Sequence, residues 1–192
     1  TAYNRPDLTA RVFRTKLKAL LQDLTQHAVL GRVVAWTYAV EFQKRGLPHA
    51  HILLVLHPED KPRTPKDIDA VVSAEIPDPA LDPLLYEKVT THMLHGPCGA
   101  KNPHCVCMSA GTCKKGYPKA LQEATVANSN GYPMYRRRAN GPRHEEQDCT
   151  WVVPHNPWLL CKYGCHLNVE VCSSIKAVKY LFKYTYKGPD RA

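Results

Sequence analysis

Several features that would define a membrane or secreted protein are missing from this 192-residue sequence. No apolar run approaches the roughly 20 residues of a membrane-spanning helix, and no charged-then-apolar signal peptide opens the chain. We therefore expect no membrane partner. The first residue is Thr1, which suggests a piece excised from a longer protein. An apolar content of 44% is enough for a core, and we predict one domain over residues 1–192.

Acidic residues are scarce in the second half of the chain. Residues 101–192 contain 14 Lys and Arg against 6 Asp and Glu, whereas residues 1–100 contain 12 against 11. The net charge of +9 is therefore concentrated in one half. Such a distribution is typical of a surface that binds a polyanion, most often nucleic acid, although a solvated basic surface would look the same.

The eight cysteines all lie between Cys98 and Cys172, and no CxxC pair occurs among them. The length of the chain and its ten histidines favour reduced thiols and metal binding over disulfides. We predict a zinc-binding Cys-rich insertion over residues 95–119, with Cys98, Cys107 and Cys113 as ligands and Cys105 or His95 as the fourth. Buried free cysteine is the alternative for all eight thiols. A second set is possible at Cys149, Cys161, Cys165 and Cys172.

The periodicity of apolar residues predicts an α+β domain with a central antiparallel β-sheet flanked by helices. Residues 5–26 have a helical period, and residues 31–43 and 49–57 form a predicted hairpin around a short turn. A short helix is expected from Thr64, which would be its N-cap, and another over 82–96. Strands are expected at 150–154 and 165–172, and a loop or hairpin over 128–148.

Two histidines stand two residues apart at the start of the second predicted strand. Side chains of alternate strand residues point to the same face, so His49 and His51 converge. Two imidazoles suit a divalent metal, and one further ligand would complete a protein triad. Across the hairpin, Glu41 or Gln43 can supply it. We prefer Glu41 because a carboxylate suits Mg²⁺ or Mn²⁺, although an isolated HxH is often surface decoration.

The last predicted helix, residues 174–187, places tyrosines on two faces. Tyr186 falls among the apolar residues, whereas Tyr180 and Tyr184 lie one turn apart on the opposite side, where amphipathic packing explains them poorly. The lysines available to contact DNA phosphates around them are Lys176, Lys183 and Lys187. Phenols in such surroundings can act as nucleophiles toward a metal-polarised phosphate.

A run of arginines follows Tyr135. Arg136, Arg137 and Arg138 are predicted to contact phosphates next to a stacking ring, which suits single-stranded DNA. Surface arginines beside a turn are the alternative interpretation.

The motifs EFQKRGLPHAHILL, HGPCG, YRRRANG, HLNVEVC and KYLFKYTYKGPDRA together resemble the Rep endonuclease domain of Helitron rolling-circle transposases. These enzymes belong to the HUH superfamily, in which a His-hydrophobic-His strand holds a divalent metal. The resemblance covers essentially the whole chain, although Ala50 is smaller than the central residue of many HUH strands.

The resemblance implies an α+β palm that nicks and transfers single-stranded DNA at transposon ends and target sites. It implies Mg²⁺ or Mn²⁺ at His49, His51 and Glu41 or Gln43, and a 5′-phosphotyrosine formed by the paired Tyr180 and Tyr184. It further implies a C-terminal helicase in the full-length protein, and a location inside the cell, in the nucleus for a eukaryotic source. The alternatives are a plasmid or viral replication initiator with the same chemistry, a non-catalytic zinc-dependent DNA-binding module, and a metallohydrolase of small substrates.

Overall fold

The computed structural model describes residues 4–42, 47–126 and 132–172. The predicted α+β class with antiparallel pairing is confirmed. The helices within these ranges are α1 (Pro6–Thr25), α2 (Pro65–Val71), α3 (Pro83–His92) and α4 (Pro157–Tyr163). The strands are β1 (Val33–Phe42), β2 (Pro48–Leu56), β3 (Met108–Ser109) and β4 (Thr112–Cys113). No helix in the described part of the chain has the length and apolarity needed to cross a bilayer.

The described residues form two compact units, one comprising those up to Lys61 together with Cys172, and one over Pro62–Val171. In the first unit, β1 and β2 form the predicted antiparallel hairpin, and α1 contacts β2. The base of the hairpin is held by Arg32, whose backbone N–H donates to Asp60 Oδ2 at 2.6 Å and whose Nε donates to the same oxygen at 2.9 Å. The single domain predicted over 1–192 stays a prediction.

The second unit is built around α3 and α4, which pack against each other. Its larger core is formed by fully or almost fully buried apolar side chains: Ile76, Val89, Met93, Val152, Val153 and Leu160. A smaller core gathers Ile68, Val72, Ala74 and Tyr135 next to α2. As predicted, Thr64 is the N-cap of α2: its hydroxyl accepts from the Asp67 N–H, and the Asp67 carboxylate accepts from the Thr64 N–H.

The structure corrects the two strands expected at 150–154 and 165–172. Residues Cys149–Trp151 form a 3₁₀ turn, and Val152 pairs with Leu94 only as an isolated bridge. Residues 165–172 contain no strand. Between them lies α4, which the sequence analysis missed. Its N-cap is Asn156, whose side chain accepts from the Leu159 N–H, and its C-cap is Gly164 with a φ of 53°.

Two other segments differ in detail from their predictions. The helix expected over 82–96 ends at His92, because Leu94 leaves it to pair with Val152. The first part of the turn-rich basic segment pairs with the residues before it, through antiparallel bridges from Val126 to Met134 and from Gln122 to Arg137. This pairing confirms the hairpin interpretation on either side of residues 127–131, which lie outside the described ranges.

Candidate metal centres

The register of the hairpin brings the predicted acidic ligand to the histidines. Glu41 lies directly opposite His49, and His51 lies opposite Ala39, two residues before Glu41. Directly opposed residues of antiparallel strands project to the same face, as do residues two apart on one strand. Glu41, His49 and His51 therefore share one face of the hairpin.

On this face, His51 Nε2 lies 3.5 Å from Glu41 Oε2. The two side chains are 31% and 24% exposed, so they are partly shielded and still reachable. Two imidazoles and a carboxylate are a donor set that suits a divalent cation with open coordination positions. The alternative ligand Gln43 lies outside the described residues.

The other face of the hairpin is apolar and unusually exposed. Trp36 and Tyr38 stack with ring centroids 5.8 Å apart, and both rings are more than two-fifths exposed. Val34, Val40 and Phe42 continue the same row. Because successive residues of a strand face opposite sides, Glu41 lies on the face away from this row.

A second, more compact centre lies in the second unit. The ligand atoms of His95, Cys98, Cys107 and Cys113 all lie within 4.8 Å of one another. Across residues 4–42, 47–126 and 132–172, this is the one group of three or more His, Cys, Asp or Glu side chains gathered so closely. Such a cluster can hold a metal ion such as zinc.

Local backbone structure positions these four ligands. Cys113 ends β4, which pairs with β3 across a tight turn in which Ala110 and Gly111 have φ angles of 48° and 77°. Two successive positive φ angles are the signature of a type I′ hairpin turn. His95 follows the bridge from Leu94 to Val152, and its N–H donates to the Trp151 carbonyl at 2.9 Å.

The imidazole of His95 is held by aromatic neighbours. Its ring stacks on Tyr117 with centroids 4.3 Å apart, and on Trp151 at 6.4 Å. Burial lowers the pKa of His95, and the positive charges of Lys115 and Lys119 lower it further. The neutral imidazole, which is the form that binds a metal, is therefore favoured.

The thiols of the cluster respond to one another and to backbone donors. Burial raises the pKa of the Cys113 thiol. Hydrogen bonds from the backbone N–H groups of Tyr117 and Lys115 and from the thiols of Cys107 and Cys98 lower it by more, so that the pKa is about 7. Burial and the neighbouring thiols raise the pKa of Cys107 to about 12.

The structure chooses between the two candidates for the fourth ligand. His95 Nε2 lies 3.5 Å from Cys113 Sγ, and His95 belongs to the close group. Cys105 Sγ lies 3.5 Å from Cys107 Sγ but is not one of the four. His95 and Cys98 are separated by two intervening residues, and this H-x-x-C pattern was the available sequence signal, since metal ligands are commonly paired at that spacing. The later cysteines, Cys149, Cys161, Cys165 and Cys172, form no such group within the described ranges.

The three arginines that were predicted to contact DNA are engaged within the second unit. Arg137 is 4% exposed, and its guanidinium donates to the carbonyls of Ala74, Cys149 and Val152. Arg137 therefore holds the fold together, and we no longer assign it to a phosphate.

The neighbours of Arg137 face acidic partners. Arg136 pairs with Asp69 and Glu75, and Arg138 makes a two-pronged contact with Glu75 at 2.7 and 2.9 Å. Burial alone would raise the pKa of Glu75, but its bonds to Arg138 outweigh this and lower it. A DNA phosphate would have to compete with these carboxylates.

The predicted nucleophiles Tyr180 and Tyr184, and the lysines Lys176, Lys183 and Lys187, lie outside the described residues. Their assignment continues to rest on the sequence.

Comparison with known families adds one finding. A family model described as the Helitron helicase-like domain at the N-terminus matches residues 1–54. These residues are Helitron-like. A search of curated proteins found no match. The Helitron-like segment includes β1 and most of β2, and so contains Glu41, His49 and His51. The cysteine centre lies beyond it.

Proposed function

We propose that this chain is a metal-dependent domain that nicks single-stranded DNA and transfers strands in rolling-circle transposition. The observation that carries the proposal is the arrangement on the hairpin. Glu41 faces His49 across the two strands and approaches His51 to 3.5 Å, within the Helitron-like segment. The Helitron-like match supports a transposase context.

Glu41, His49 and His51 are the residues that would hold Mg²⁺ or Mn²⁺. When bound there, such a cation supplies Lewis-acid polarisation of the scissile phosphate and offsets its negative charge. The partial exposure of Glu41 and His51 allows a DNA backbone to reach the site. Residues on two paired strands hold their positions better than residues on a loop would, which favours a defined phosphate geometry.

In the proposed reaction, the phenol oxygen of Tyr180 or Tyr184 attacks the phosphorus and gives up its proton. The bond from phosphorus to the 3′ oxygen breaks, and that oxygen takes up a proton to become a free 3′-OH. The new bond joins the 5′-phosphate to the tyrosine. Attack by a DNA 3′-OH on this linkage reverses the exchange and rejoins a strand, so neither direction consumes ATP.

Assignment of the chain to rolling-circle transposition adds three further parts to the proposal. The substrates are single-stranded transposon ends and targets, a helicase follows in the full-length protein, and the protein acts on DNA inside the cell, in the nucleus for a eukaryotic source. The basic second half of the chain favours a polyanionic partner.

The adduct itself provides the test. The chain is incubated with a labelled single-stranded oligonucleotide and Mn²⁺, and a band that migrates with the protein after denaturation is measured. We expect His49→Ala and Glu41→Gln to lower the yield at least about 100-fold, because polarisation by a metal is worth several kcal/mol. Tyr180→Phe combined with Tyr184→Phe should abolish the adduct.

Matched variants control for general damage. His57→Ala changes a histidine just after β2, and Tyr186→Phe changes a phenol on the apolar side of the predicted helix. Both should leave the adduct intact. A robust adduct in the double Phe variant would exclude the tyrosine assignment.

The cysteine centre favours a second candidate, a non-catalytic DNA-binding module organised by zinc. The same assay separates the two. The module predicts oligonucleotide binding with no covalent product under any metal, and binding that does not depend on His49.

A further inference from the structure

We infer that His95, Cys98, Cys107 and Cys113 bind one structural Zn²⁺, and that this ion cross-links the segment 95–119 within the second unit. The inference does not depend on the nuclease proposal. It rests on side chains in a different unit from the histidine pair, and it would stand if the chain had no catalytic activity.

The distances fit a tetrahedral ion. Zinc binds sulfur at about 2.3 Å and imidazole nitrogen at about 2.0 Å, so two ligand atoms on a tetrahedron lie roughly 3.5 to 3.8 Å apart. His95 Nε2 and Cys113 Sγ are 3.5 Å apart. All four ligand atoms lie within 4.8 Å of one another, and small side-chain shifts close the remaining gap.

The site is built as a closed one. Cys98 and Cys107 are buried, and His95 and Cys113 are half-buried. Four protein ligands fill a tetrahedral coordination sphere, which is the arrangement of structural rather than catalytic zinc.

The surroundings suit the charge of such a centre. Three thiolates and Zn²⁺ carry a net charge of −1. Lys119 Nζ lies 4.9 Å from the centroid of the Tyr117 ring, and that ring stacks on His95. The stacking of His95 on Tyr117 fixes the orientation of the imidazole, as outer contacts of metal ligands commonly do.

The segment 97–119 has little secondary structure and few buried apolar side chains to stabilise it. Between α3 and Cys149, residues 97–119 contain only the two-residue strands β3 and β4, and Val106 is 81% exposed. Cys98 and Cys107 are the buried apolar side chains of this segment. Backbone bonds hold its two ends, from His95 to Trp151 and from Lys119 to Thr150. A metal bound between these ends supplies folding energy that the segment cannot obtain from a core of its own.

Two neighbouring cysteines allow a ligand to be distinguished from a cysteine that does not bind the metal. Cys105 and Cys107 are two residues apart with sulfurs 3.5 Å from each other, yet only Cys107 belongs to the four. The same substitution at the two positions therefore separates a ligand from a bystander.

The test uses the whole chain, purified without chelator, with bound zinc measured by elemental analysis. We expect about one zinc per chain in the wild type and in Cys105→Ser. Cys107→Ser and Cys113→Ser should lower zinc affinity at least about 100-fold, since even the loss of an outer contact costs 10- to 100-fold. Replacement by Co²⁺ should give the absorption of a tetrahedral ion with three sulfurs and one nitrogen, and His95→Cys should convert it to the four-sulfur spectrum.

The inference fails if the wild type neither contains zinc nor binds added Zn²⁺ or Co²⁺ tightly. It also fails if Cys105→Ser loses metal as completely as Cys107→Ser, or if the His95→Cys spectrum equals that of the wild type. Should the Cys107 variant not fold, the wild-type cobalt spectrum and the Cys105 variant still decide the question. An adduct formed by zinc-free protein would leave the nuclease proposal intact.

Discussion

At the scale of single residues, the burial of His155 disfavours the charged form of its imidazole. It has no exposed surface, its Nδ1 lies 3.1 Å from the Val153 carbonyl, and its Nε2 has no hydrogen-bond partner among the described residues. Burial lowers its pKa to about 4, and the nearby charge of Arg137 acts in the same direction. The ring is therefore neutral at pH 7, with the proton on Nδ1.

This neutral ring makes the stability of the second unit depend on pH. The unfolded chain binds a proton at His155 near pH 6.5, whereas the folded chain does so only near pH 4, so acid favours unfolding between these values. We expect the free energy of unfolding to fall by about 2 kcal/mol from pH 7 to pH 5 through this residue. Urea unfolding of the wild type and His155→Gln at both pH values measures it.

Other acid-sensitive groups, including any bound metal, act in both proteins and cancel when the two are compared. His166→Gln, at an exposed histidine whose Nδ1 lies 2.8 Å from the His92 carbonyl, should keep the pH dependence of the wild type. Identical pH dependence in the wild type and His155→Gln would contradict the prediction.

At the scale of elements, Arg137 connects segments that are far apart in the sequence. Its guanidinium donates to Ala74 at 3.1 Å, to Val152 at 2.8 Å and to Cys149. These carbonyls follow α2 and flank the 3₁₀ turn. All three contacts are made by the Nη1 nitrogen, so one buried group connects the segment after α2 with the 3₁₀ turn.

Replacing this guanidinium should be costly. Arg137→Met leaves the carbonyls of Ala74 and Val152 without this donor, whereas the Cys149 carbonyl keeps the Val152 N–H. We expect a loss of about 3 to 5 kcal/mol in the free energy of unfolding. The matched change Arg138→Met removes a half-exposed ion pair with Glu75, for which about 1 kcal/mol or less is expected. Chemical denaturation of both variants checks the ranking, and equal losses would show that Arg137 is not the connection we describe.

The elements also show what the sequence could and could not predict. The hairpin and the cap at Thr64 were predicted because alternation and capping are local patterns. Helix α4 was missed because its seven residues follow Val152 and Val153, which suggested a strand. The burial of Arg137 depends on partners more than ten residues away, so a run of arginines looked like a surface. His95 became the better fourth ligand through the pairing of Leu94 with Val152, which no local pattern reveals.

At the scale of the whole molecule, the two candidate metal centres differ in kind and lie in different units. The hairpin offers two imidazoles and a carboxylate, partly exposed, with room for water and a phosphate. The cysteine centre offers four protein ligands and is largely buried. Open oxygen and nitrogen sites exchange Mg²⁺ or Mn²⁺ readily, whereas structural zinc sites bind with apparent free energies of about 10 to 16 kcal/mol.

The two centres should therefore respond separately to metal removal. After brief treatment with EDTA and its removal, we expect the covalent DNA adduct to vanish and to return with Mn²⁺ alone, while zinc stays near one per chain. Harsher extraction that also removes zinc should lower the melting temperature of the second unit, and Mn²⁺ should not restore it, because a hard cation does not replace zinc among thiolates. Adduct formation and bound zinc are measured on the same samples. If brief treatment removed zinc together with activity, and only Zn²⁺ restored both, the assignment of a catalytic cation to the hairpin and a structural zinc to the cysteine centre would be wrong.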